Sequence, residues 1–332
     1  MVDKNDPILG FFHGWLEELS RHFSEIQVIC LKEGVHALPK NVHVYSLGKE
    51  NGESTVKYVT RFYRYLYRLQ HSYDRVFVHM NPHYVVLGGM WWSLTKTRVF
   101  FWRNHAQMNF MTRIGAFFAR QVFYTSPFAC TSRYVHAVQM PVGIDLSRFI
   151  PHRTEHKGKT KVLFLGRLSP VKRAEIFVDA GRVLGDAYEL HVYGDDPTSE
   201  KKYIKALKER AGENIFFHSA VKNEETPQIY RTHDIYVNLT PEGSMDKTVL
   251  EAVACGTAVI VTNTSFSNIL PEYSVLADVT PERLAKKILD SGTIPLEKKD
   301  EYREGARRIV EREHSLEKLG ILLHKYITEK YD

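Results

Sequence analysis

Residues 161–172 read K-V-L-F-L-G-R-L-S-P-V-K, and residues 243–256 read G-S-M-D-K-T-V-L-E-A-V-A-C-G. The apolar run 162–165 predicts a strand buried on both faces. The chain then turns at Gly166 and presents Arg167 and Lys172 in a loop leading into a helix. Loops at the carboxyl ends of parallel strands are where open α/β sheets place ligands. A planar guanidinium beside a point-charge ammonium suits a diphosphate. The second run is polar at first and becomes helical through Val249, Leu250, Ala252 and Val253. The start of a helix offers free N–H groups and a positive dipole end to an anion. Glu251 projects from its first turns toward the same place. Two such elements in one half of the chain point to a nucleotide-sugar site.

Composition sets the outer bounds. A chain of 332 residues, 43% hydrophobic and 25% charged, has room for two ordinary globular domains. A net charge of +6 calls for an anionic partner or surface: nucleotide phosphates, nucleic acid or acidic lipid headgroups. The lysines and arginines are dispersed and form no single stripe, which argues against nucleic acid. Cys30, Cys130 and Cys255 lie far apart with no C-x-x-C pairing, so neither a disulfide framework nor a zinc site is expected. The first residues are polar, and the longest apolar stretch, 84–94, is too short to span a bilayer. A cytoplasmic protein is expected. The basic amphipathic segment 111–120, with Trp91, Trp92, Phe117 and Phe118, raises the alternative of peripheral contact with the inner face of a membrane.

Strands are expected in the first half at 26–31, 42–47, 75–80, 99–102 and 122–124, alternating with helices, the longest at 55–69. Alternation of this kind implies a parallel, doubly wound sheet. In the second half strands are expected at 162–165, 188–193, 215–218, 235–239, 258–262 and 274–276. Helices are expected at 174–183, 201–211 and 227–231, and from 297 to 330. The domains are placed at 1–143 and 160–305, joined by a linker at 144–159 and followed by a C-terminal helix at 306–332.

The motif G-R-L-S-P-V-K, followed by L-E-A-V-A-C-G-T-A-V-I, resembles the donor-binding half of the group 1 (family 4) retaining glycosyltransferases. The match runs over roughly 161–278. It implies an α/β GT-B fold, two Rossmann-like doubly wound domains facing across a cleft, with the C-terminal helix crossing back to the N-domain. It also implies transfer of a sugar from a nucleotide-diphospho-sugar, UDP- or GDP-linked, with retention and without a metal or other cofactor. Acceptors of this family are sugars, glycans or lipid-linked molecules. Family members open with an apolar strand that is missing here, so a start inside the first domain is expected.

By the same resemblance, Arg167 and Lys172, at the turn of Gly166, bind the donor diphosphate and stabilise the leaving group. Glu251 matches the second glutamate of an E-x(7)-E motif and holds the ribose hydroxyls. The first glutamate is absent, since Gly243 stands in its place; Glu242 and Asp246 are the two candidates to replace it. The loop through Gly243, Ser244 and Met245 supplies N–H groups to the donor sugar, with Lys247 and Thr248 at the start of the helix. Gly194 lets the chain pass close to the base. His105, in W-R-N-H, corresponds to the histidine facing the donor sugar. Gly10, His13 and Gly14 of the opening loop belong to the acceptor side. A rival from another class is a nucleotide-sugar-binding protein that transfers nothing.

Overall fold

The computed structural model describes residues 1–151, 158–194, 200–243 and 245–329. They divide into two compact units: Met1–Gly143 with Leu316–Asp332, and Ile144–Ser315.

The first unit opens with α1 (Phe11–Ser20), followed by β1 (Ile26–Cys30), β2 (Val42–Ser46) and α2 (Thr55–Leu69). It continues with β3 (Arg75–His79), α3 (Pro82–Leu94), β4 (Arg98–Trp102), α4 (Phe110–Phe118), β5 (Gln121–Tyr124) and β6 (Ala137–Gln139). All strand pairs are parallel, as the alternation predicts, but they form two sheets, β1-β2 and β3-β4-β5-β6. Side chains alternate between the two faces of the strands. Val78, Val99, Phe101 and Val122 meet Phe62 and Leu66 of α2, Val85 and Trp92 of α3, and Ala116 of α4. Ile29 of β1 joins this same cluster, although no ladder links β1 to β3. The opposite face carries Phe100, Trp102 and Phe123 against Trp15 and Leu19 of α1. Helix α3 is absent from the sequence expectation because its run is apolar all round, with no polar face to mark a helical period. Asn81 caps it, accepting from His83 N at 3.1 Å, with Pro82 in the first turn. Trp92 and Phe118, expected on a membrane-facing stripe, serve packing instead. Trp92 is 3% exposed, and the Phe118 ring lies against Gly89.

The second unit carries β7 (Thr160–Leu165), α5 (Ala174–Leu184), β8 (Tyr188–Tyr193), α6 (Lys201–Arg210), β9 (Ile215–His218) and α7 (Thr226–Arg231). Then come β10 (Ile235–Asn238), α8 (Lys247–Ala254), β11 (Ala258–Val261), α9 (Pro281–Thr293) and α10 (Leu296–His314); α11 (Leu316–Thr328) belongs to the first unit, packed on α1. The five strands are parallel in the order β11-β10-β7-β8-β9. On one face, α5, α6 and α9 cover Val162, Phe164, Leu190, Val192 and Ile260. Residues 274–276, expected as a strand, make only a short helical turn at Glu272–Ser274 and a single bridge from Val275 to Val261. Residues 144–150, expected in a linker, are built into this unit: Ile144 bridges to Ser315, and Arg307 of α10 donates to the carbonyls of Phe149 and Ala254.

A layer of imidazoles lies at the β8–β9 side. His191 Nδ1 is 2.9 Å from His218 Nε2, and the His233 ring stands edge-on to His191 at 4.9 Å. Burial pulls His233 from 6.5 down to about 4, and pulls His191 and His218 down as well. A base with a lowered pKa in the folded state leaves more protons on the unfolded chain between those two values. Stability therefore falls as pH drops from about 6.5 to about 4, and His233 alone contributes about 3 kcal/mol of that loss. Denaturant titrations at about pH 7 and about pH 4 measure it, and a His233→Gln variant is expected to flatten this part of the profile.

Candidate functional site

In the order β11-β10-β7-β8-β9, successive connections leave β7 in opposite directions, so the chain switches direction between β7 and β10. Loops diverge there at the carboxyl ends of the strands and leave a crevice. The loop after β7 carries 166–172 and the loop after β10 carries 239–246, so the two stretches of sequence that decide the fold meet at the switch point.

They are joined by one ion pair. Lys172 Nζ lies 2.5 Å from Asp246 Oδ2 and 3.0 Å from Thr240 Oγ1. The same carboxylate oxygen accepts from Thr240 Oγ1 at 2.8 Å and from Asn238 Nδ2 at 3.0 Å. Asn238 Nδ2 also reaches Tyr236 Oη at 3.0 Å, and that hydroxyl is 2.8 Å from Thr248 Oγ1. Burial pushes the Asp246 carboxyl up, but the Lys172 ammonium and the hydrogen bonds outweigh it and hold the group below the usual carboxylate range. Asp246 thus stays charged and fixes the ammonium at the mouth of the switch point. The loop turns sharply to present it, and Arg173, next to Lys172, takes left-handed dihedrals (φ 54°, ψ 40°). Arg167 is exposed in the same loop and takes part in no ion pair among the described residues.

Of the two acids proposed to replace the missing glutamate, Asp246 reaches Lys172. Glu242 is exposed and accepts from Thr264 Oγ1 instead. Gly243 has φ +117°, a conformation that favours glycine, and Met245 is buried against the loop. Ser244 lies outside the described residues. Gly194 follows β8, where a Cβ would stand 2.4 Å from the Gly166 carbonyl oxygen. The two chain turns touch there, so glycine at 194 is required by backbone packing.

Behind the loop, Glu251 of α8 is 3% exposed and accepts from Tyr230 Oη at 3.2 Å. Burial raises its carboxyl above the usual range, against the pull of Lys247 and the Tyr230 hydroxyl. Burial also pulls the Lys247 ammonium down to about 8, with Glu251 and Asp145 opposing. In the first unit, His105 is exposed, and its Nδ1 accepts from Gln107 N at 3.0 Å. His13 is buried, its Nε2 accepting from Ala37 N at 3.1 Å and its Nδ1 3.5 Å from Glu17. Its ring is therefore engaged in holding α1 to the following chain. Gly10 precedes α1 in ordinary helical dihedrals, and Gly14 sits within that helix with Leu316 as its neighbour.

Of the groups around Lys172, Asn238 and Thr240 are not singled out by the sequence reading. Asn238 and Thr240 follow one another at a spacing of two in V-N-L-T, which puts them on one side of a strand end; that polar interruption of a buried strand was the available signal.

Residues 159–291 match the family described as Glycosyl transferases group 1. The second unit holds a group 1 glycosyltransferase domain. Within the curated relatives, this group 1 domain aligns with mannosylfructose-phosphate synthase of Agrobacterium fabrum, 30% identical over 148 residues. That alignment takes in 38% of this chain and 32% of the relative, so the chain spans about a third of the length of the relative it matches. Two solved structures extend the likeness to the whole chain. Anabaena HepE, solved with UDP and glucose, superposes with a TM-score of 0.79 at 14% identity, covering 99% of this chain and 98% of that one. Sucrose-phosphate synthase from Thermosynechococcus elongatus gives 0.77 at 17% identity, covering 98% and 96%. What they share with this chain is the GT-B fold of two Rossmann-like units, in which the group 1 domain is the second.

Proposed function

We propose that the protein transfers a hexose from a nucleotide-diphospho-sugar, UDP-linked in the first instance, to a sugar, glycan or lipid-linked acceptor. The observation that carries this reading is the ammonium of Lys172, fixed by Asp246 and Thr240 at the switch point of the sheet, with Asn238 donating to the Asp246 carboxylate. Complexes of HepE with UDP and glucose favour UDP as the nucleotide. Lys172 and Arg167 meet the diphosphate, and the backbone of the loop at Gly243 approaches the sugar. Glu251, held by Tyr230, accepts from the ribose hydroxyls. In the reaction, the bond from the anomeric carbon to the phosphate oxygen breaks while the bond to the acceptor oxygen forms on the same face of the sugar. The acceptor's proton passes to the departing phosphate, so the configuration is retained and no protein nucleophile enters. Negative charge grows on the leaving diphosphate, where a preorganised cation lowers the barrier most. That charge is met by side chains, so the reaction is expected to proceed in excess chelator. His105 is assigned to the sugar side of the reaction, and Gly10, His13 and Gly14 to the acceptor side. The free, buried thiols of Cys30, Cys130 and Cys255 suit work in the cytosol.

Release of UDP from UDP-glucose, with and without a panel of sugar and lipid-linked acceptors, tests the proposal. Acceptor-dependent release with transfer of the sugar supports it. Nucleotide binding without release under any acceptor would leave a binding protein, and transfer of the opposite anomer would remove retention.

A further inference from the structure

Helices α2, α3 and α4 cover one face of the sheet β3-β4-β5-β6, and their outer surface carries exposed apolar and basic side chains. On α4, Phe110 and Phe117 are 74% and 82% exposed, with the exposed Arg113 between them at helical spacing. On α3, Met90 and Leu94 are 62% and 79% exposed, one turn apart. Tyr67 of α2, also exposed, leans edge-on against Trp91 of α3 at 6.4 Å, so the apolar surface runs on from one helix to the next. Between Thr55 and Arg120 the sequence has ten lysines and arginines and one acid, Asp74. Among these cations, Arg64, Arg68, Lys96, Arg113 and Arg120 are exposed and take part in no ion pair among the described residues.

We propose that this three-helix face docks on an anionic lipid bilayer. The apolar side chains that stand out from it enter the acyl boundary, and the unpaired cations remain at headgroup level. Charge decides the occupant. A second copy would set two cationic faces against each other, whereas anionic headgroups complement the face. A bilayer also accepts protruding phenylalanines without a matching cavity. No helix among the described residues is long and apolar enough to cross a membrane; the attachment proposed is at the surface. The inference is independent of the donor site, which lies in the other unit.

Co-sedimentation with vesicles of phosphatidylcholine, alone or mixed with phosphatidylglycerol, tests it. The full chain is expected to pellet with the mixed vesicles, less so as salt rises, and to stay in solution with phosphatidylcholine alone. Phe110→Ser/Phe117→Ser is expected to weaken binding on the order of tenfold or more. Arg113→Glu/Arg120→Glu is expected to lose about fivefold or more for each charge. All four side chains are exposed, so both variants should keep the parent's thermal midpoint and its response to UDP, which shows that the fold is intact. Equal binding to neutral vesicles, no binding to either kind, or variants that bind like the parent would each overturn the proposal. So would light scattering that shows a dimer dissolved by Phe117→Ser, since the face would then be a self-interface.

Discussion

Lys172→Ala is expected to lower kcat/KM for the donor by on the order of 10²–10³. In the proposed reaction the ammonium meets the charge that grows on the leaving diphosphate, so its loss should be felt mainly in kcat. Stability responds separately, because Asp246 is left half-buried with hydrogen bonds from Thr240 and Asn238 but no cation. Its carboxyl should then take up a proton more readily, and the variant should be less stable at neutral pH by about 1–3 kcal/mol. Lys172→Ala/Asp246→Asn removes the uncompensated carboxylate and should recover most of that stability without recovering activity. Steady-state kinetics and denaturant titration on the single and double variants separate the two effects. If the double variant regained activity, the ammonium would have no role in the transition state.

Glu251 carries the second large effect. Its carboxylate is buried and accepts from Tyr230, which is itself fully buried. Glu251→Ala leaves that hydroxyl without its acceptor and opens a small void, so about 2–4 kcal/mol of stability is expected to go, along with nucleotide affinity. Glu251→Gln keeps an acceptor for Tyr230 and fills the same volume, so it should stay near the parent in stability. It loses the negative charge proposed to accept from two ribose hydroxyls, and UDP affinity is expected to fall about tenfold. Calorimetric titration with UDP, beside thermal unfolding, reads both quantities. Unchanged affinity in Glu251→Gln would assign this side chain to packing alone.

Much of the fold was legible because both of its sequence periods are clean. Residues 162–165 are a continuous apolar run, 188–193 alternate in Y-E-L-H-V-Y, and 235–239 are apolar but for Asn238; each marks a parallel strand. Helix α3 escaped because its thirteen residues are apolar on every side, and periodicity is silent there. Residues 274–276 failed in the other direction. Val275 and Leu276 look like a strand, but one bridge to Val261 is all the pairing that the end of β11 provides. At the candidate site, Arg167 and Lys172 could be proposed from the chain because a diphosphate asks for cations, and Glu251 because it matches the second glutamate of the family's motif. Their supports could not. That Asp246 reaches Lys172 and Glu242 does not depends on which loop residue turns inward, and Tyr230 meets Glu251 from another helix. The contacts that His13 makes through its ring nitrogens, to Ala37 N and Glu17, were likewise not legible in the chain.

The most direct test of the central claim is calorimetric titration of UDP into the parent protein and into Lys172→Ala, each in excess chelator. The site as described predicts binding by the parent that the chelator leaves unchanged, and an affinity weakened about tenfold or more in the variant. Equal affinity in both proteins, or binding that the chelator abolishes, would contradict a donor site built on the Lys172 ammonium.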